Sequence, residues 1–63
     1  MIVQVINTTD KKYIGDTFDT DEDVNVSSDG IQWHPEKFQD LGGGYYRYSN
    51  SNYVVEVKDI TNG

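Results

Sequence analysis

The sequence predicts an all-β fold, a small antiparallel meander of five to six short strands. Three observations carry that prediction. The chain has no Ala, one Leu and one Met, while Val, Ile, Thr, Tyr, Asn, Asp and Gly are abundant, a preference for strands joined by turns. Short apolar runs alternate with turn clusters such as Asn7-Thr8-Thr9-Asp10, Ser27-Ser28-Asp29-Gly30 and Asn50-Ser51-Asn52. The closing segment sets Tyr53, Val55 and Val57 against Val54, Glu56 and Lys58, the period of two that marks a half-buried strand.

The first strand is MIVQVIN, residues 1–7, apolar on both faces apart from Gln4 and so expected to be well covered. After the Asn7–Asp10 turn, residues 12–19 read as a second strand, with Ile14 and Phe18 on one side of Asp16 and with Tyr13, Gly15 and Thr17 on the other. Gly15 inside that run indicates a bulge or a close backbone approach. An acidic loop follows from Asp19 to Asp23, then Val24-Asn25-Val26 as a short strand. Asp29-Gly30 supplies the positive φ of a tight turn, and Ile31-Gln32-Trp33 resumes extended structure. Pro35 has no N–H and marks an edge, a bulge or a break. Residues 36–41 read as a continuing strand, with a single helical turn starting at Pro35 as the alternative.

Gly42-Gly43-Gly44 reverses the chain into a strand from Tyr45 to Ser49, where Tyr46 and Tyr48 share one face and Tyr45, Arg47 and Ser49 the other. The Asn50–Asn52 turn leads into the last strand, Tyr53 to Asp59. Strands this short close most economically into an SH3-like or OB-like partly open barrel. Residues 1–60 form one domain, and 61–63 are expected to fray.

At 63 residues the chain lies near the lower size at which a core alone stabilises a fold, and it has no cysteine for a disulfide or a zinc ribbon. Its eight aromatic rings, tight turns or a partner surface must help. No apolar run exceeds three residues, against the roughly 20 needed to span a bilayer. No basic region precedes MIVQVI, so the start does not read as a signal peptide.

The net charge of −6 is concentrated in one window. Asp16, Asp19, Asp21, Glu22, Asp23 and Asp29 fall within 14 residues that hold no Lys or Arg, whereas five acids and five bases balance elsewhere. Such a local field bears on partners rather than on fold. Alternate carboxylates from Asp19 imitate the opening of a calcium loop, but the sixth and twelfth positions are Val24 and Gly30 where Gly and Glu are required. A solvated acidic loop outweighs a weak, hydrated divalent-cation site, and no metal or other cofactor is assigned. His34 is the single histidine, so it reads as an exposed strand-end residue rather than a ligand or a base.

The serines lie in turns away from any base, and the triple glycine lacks the context of a phosphate loop. The chain is therefore expected not to be an enzyme. Tyr45, Tyr46, Tyr48 and Tyr53 around Arg47 suggest a base-stacking platform, yet phosphate neutralisation dominates affinity and this chain has a pI near 4.3. Direct nucleic-acid binding is not expected. A protein partner, or self-association through a strand edge, suits the charge better. Asp19, Asp21, Glu22 and Asp23 are the candidate charged contacts, and Trp33 and Tyr45 the candidate aromatic anchors.

Residues 5–18, VINTTDKKYIGDTF, and 46–57, YRYSNSNYVVEV, resemble short uncharacterised accessory proteins of tailed bacteriophages, particularly T4-like phages of marine cyanobacteria. The resemblance implies a phage-encoded protein, soluble in the host cytoplasm or in the phage particle, and it supplies no site residues. Two functions follow. One is a non-enzymatic interaction or minor structural module. The other is an acidic inhibitor, a mimic of nucleic-acid charge that acts on a basic host protein.

Overall fold

The computed structural model describes residues 1–22, 25–26 and 30–61. The chain is all-β, with five antiparallel strands in one sheet: β1 (Ile2–Thr8), β2 (Thr17–Asp19), β3 (Gln39–Gly42), β4 (Tyr45–Ser49) and β5 (Val54–Asp59). Their order across the sheet is β2-β1-β5-β4-β3. Two local units, the β1–β2 pair and the β3–β4–β5 meander, are thus joined by one seam between β1 and β5. The sheet is partly open, since β2 and β3 remain as edges.

β4 and β5 have the expected pattern. Tyr53, Val55 and Val57 are buried, and Tyr46 and Tyr48 pack beside them from the neighbouring strand. Asn50 builds the turn between these strands, its side-chain oxygen accepting the N–H groups of Asn52 at 2.8 Å and Tyr53 at 2.7 Å. At the other end of β4, Gly42, Gly43 and Gly44 all have positive φ (84°, 63° and 86°), a conformation that residues with a Cβ reach only with strain.

β1 departs from the sequence reading. Val3, Val5 and Thr8 are buried, whereas Ile2 and Ile6 are 43% and 38% exposed, so the strand is covered on one face only. The pairing with β5 slips between Val5 and Asn7, which leaves Ile6 as an extra residue and moves the inward set from 3 and 5 to 8. Thr8 is buried yet satisfied, donating to Asp10 Oδ1 at 3.0 Å and accepting the Lys11 N–H at 2.9 Å.

β2 is shorter than the expected 12–19 run, because residues 13–16 turn. Gly15 has φ 95° and donates its N–H to the Val5 carbonyl at 2.7 Å, the close backbone approach its position indicated. Of the expected strand 24–26, Val24 lies outside the described residues. Asn25 makes an isolated bridge to Gln32, and Val26 is buried. The 27–29 turn and residues 62–63 likewise lie outside the described residues. Ile31-Gln32-Trp33 forms only that bridge, not a strand. The two readings of 35–41 divide the segment: Pro35–Lys37 is a single 3-10 turn, and the strand begins at Gln39.

The inner face of the sheet is covered by the connection between β2 and β3. The connection brings Val26, Ile31, Trp33 and Phe38 onto Val3, Val5, Val55 and Val57. Trp33 is the hub, with ring centroids 4.3 Å from Phe38, 5.8 Å from Tyr46 and 6.2 Å from Phe18. Each such ring pair contributes about 0.5–1.5 kcal/mol beyond area burial. The radius of gyration is 10.5 Å, the value of a compact globule, for which about 10.6 Å is expected at this length.

Candidate interaction surface

The outer face of the sheet has no layer over it among the described residues, and the strand registers fix what it presents. Gln39 pairs with Arg47, Arg47 with Glu56, and Asn7 also stands beside Glu56, which makes a polar rung across four strands. Side chains lock the rung: Asn7 Nδ2 donates to Glu56 Oε1 at 2.9 Å, and Arg47 donates to Gln39 Oε1 at 3.4 Å. The next rung is Tyr45, Lys58, Gln4 and Thr17. Here the Lys58 ammonium lies 5.8 Å from the centre of the Tyr45 ring, within cation–π range.

The end of the sheet beyond that rung is apolar. The Ile60 N–H donates to the Ile2 carbonyl at 2.8 Å, setting Ile60 directly opposite Ile2, and Ile2 faces Asp19 on the other side. A Cβ on Gly43 would meet Tyr45 Cδ2 at 3.7 Å, so the tyrosine ring lies against that glycine and toward the same row. Leu41, the extra residue where the β3–β4 register shifts, adds to the row at the β3 edge. Ile2, Leu41 and Tyr45 are 43%, 41% and 38% exposed. The result is an apolar stripe of Leu41, Tyr45, Ile60 and Ile2, ending at Asp19.

The acidic turn is attached to that end. The Asp21 N–H donates to Asp19 Oδ1 at 3.0 Å and the Glu22 N–H to the Asp19 carbonyl at 3.1 Å, so the turn holds its own shape. Thr20 Oγ1 accepts from the Met1 amino group and donates to the Met1 carbonyl, both at 3.1 Å. The same amino group stands 3.8 Å from Asp19 Oδ1 and from Asp21 Oδ2. At the far end of β5, Asp59 is held below the usual carboxylate range, first by the Thr61 N–H at 2.9 Å, then by the Thr61 hydroxyl, with a smaller pull from the Met1 amino group.

Asp19, Asp21 and Glu22 therefore share one exposed turn, and Asp19 borders the stripe that contains Tyr45. Asp23 lies outside the described residues. Trp33 is not an exposed anchor: it is half-buried among Phe18, Phe38 and Tyr46, because a single-layer sheet needs that ring as its cover. Ile2 and Leu41 were missed as exposed residues, and Ile60 as a half-buried one beside them. Gln4 was the available signal for Ile2, since residues 2 and 4 share a face and Gln marks that face as solvated. Among the described residues no three His, Asp or Glu side chains converge to hold a metal ion, and no helix is long and apolar enough to cross a membrane. No family model, curated protein or solved structure matches the chain.

Proposed function

We propose that this domain is a non-enzymatic protein–protein interaction module that binds through the outer face of its sheet. The observation that supports this reading most directly is the stripe of Leu41, Tyr45, Ile60 and Ile2 with the Asp19–Glu22 turn at its end. Apolar and aromatic side chains exposed together and rimmed by charge are the usual anatomy of a binding patch. The partner would bring apolar side chains to the stripe and basic ones to the turn. The resemblance to short phage proteins fits a role on a host protein or in the particle. The test compares proteins retained from the native host by the wild-type chain with those retained by Tyr45→Ala and Ile2→Ser variants that fold normally. A partner enriched by wild type and lost from both variants supports the reading. Equal retention by all three chains overturns it.

A second reading rests on the exposed carboxylates of Asp19, Asp21 and Glu22, which suit an acidic inhibitor of a basic host protein. The two readings separate by salt. Binding carried by charge alone weakens steeply between low and physiological ionic strength and survives Tyr45→Ala, whereas stripe-driven binding does neither.

A further inference from the structure

On the other side of the molecule, a cleft of about 230 Å³ opens between the connection and β4. Its walls are Gly30, Ile31, Gln32, His34, Lys37 and Tyr48. In a chain with more than twice as many acids as bases, none of the described residues that line the cleft is a carboxylate. Each of the four polar side chains is able to donate a hydrogen bond: the Gln32 amide, an imidazole N–H of His34, the Lys37 ammonium and the Tyr48 hydroxyl. Asn50 Nδ2 donates to the Tyr48 oxygen at 3.4 Å, which leaves the hydroxyl proton free for another acceptor. Among the described residues Lys37 has no carboxylate partner, while His34 Nδ1 has Glu36 Oε1 at 3.9 Å. The Tyr48 wall is fixed from behind by Phe38, with ring centroids 5.6 Å apart.

We infer that this cleft is a binding site for a small oxyanion, a phosphate or carboxylate group, held by Lys37 and the donors of Gln32, His34 and Tyr48. Its volume lies below the roughly 300–1,000 Å³ of pockets that take whole drug-sized molecules, which suits an ion or a single anionic group. Glu36, 3.9 Å from His34, is the near carboxylate that an entering anion must compete with. Charges farther than about 8 Å are screened at physiological ionic strength and do not cancel the Lys37 ammonium.

The experiment is a titration of the ¹⁵N-labelled full chain with sodium phosphate, sodium acetate or sodium chloride at constant ionic strength. Saturable shifts confined to Gly30–Lys37 and Tyr48, with a dissociation constant of about 1–10 mM for phosphate or acetate, are expected. Whichever of the two anions binds more tightly identifies the group. Lys37→Glu should weaken binding at least about tenfold, whereas Lys12→Glu, with the same change in net charge, should leave it within about twofold. Both lysines are exposed, and dispersed spectra of the two variants establish that they fold. Shifts that fail to saturate, equal shifts with chloride, or equal losses in the two variants would each overturn the site.

Discussion

The two halves of the core are built by different means. The sheet contributes Val3, Val5, Val55 and Val57, small β-branched side chains placed inward by strand periodicity and fully buried. Among the described residues the connection from Thr20 to Phe38 has one isolated bridge and one 3-10 turn, and it contributes two large rings, Trp33 and Phe38, alongside Val26 and Ile31. A valine needs a regular backbone to aim it. A ring as large as Trp33 covers enough area to pack from an irregular one, and so a chain with few residues covers a whole sheet face without a second layer of strands.

Placing a charge in the sheet half should do the most damage. Val57→Asp sets a carboxylate on a fully buried position with no cation opposite, and it is expected to leave the chain unfolded at 25 °C, read as loss of the β circular-dichroism spectrum. If that variant folds, the sheet is not the rigid half. Trp33→Ala removes the hub of the connection and should cost about 3 kcal/mol in urea denaturation, less than the charge but enough to loosen Phe18, Phe38 and Tyr46 together. A loss below about 1 kcal/mol would mean that the rings decorate the core rather than close it.

Gly44→Ala tests the frame that holds the sheet half. The residue has φ 86°, and its new Cβ would touch that of Asp59 at 3.5 Å, so a loss of about 1–2 kcal/mol is expected. The smallest effect is electrostatic and belongs to the sheet alone. Because the Asp59 pKa is lower in the folded chain than in the unfolded one, its contribution is present above the unfolded carboxylate pKa and fades as pH falls through the folded value. Asp59→Asn should therefore lower stability slightly near pH 7, where the carboxylate's contribution is present, and converge on wild type as pH falls, which flattens the acid limb. A limb of unchanged steepness would assign acid sensitivity to other carboxylates.

The same contrast explains what was legible in the sequence. β4 and β5 were readable because alternation at Tyr53–Lys58 and the Asn50 turn are local signals, each carried by neighbours in the chain. Trp33 was not, since an irregular segment has no period to say which way a ring faces. Residues 35–41 held two true signals in succession, a proline that starts a turn and a run that becomes β3, and reading them as alternatives hid the join. Of the proposed interaction surface, Asp19, Asp21, Glu22 and Tyr45 were visible as residue types. Ile2 was legible only through Gln4 on the same face, and Leu41 was not, because its exposure depends on the bulge between Asp40 and Gly42.

The β1–β5 seam has a consequence for how the molecule comes apart. It joins residues about fifty positions apart, including Val5 opposite Val57, and is extended by Thr9 to Val54 and Ile2 to Thr61 contacts. Neither the β1–β2 pair nor the β3–β4–β5 meander has a core of its own without it. Opening the seam empties the interior in one event, so slow amide exchange in β1, β4 and β5 should report a single free energy, and folding should wait on one long-range closure rather than on any hairpin.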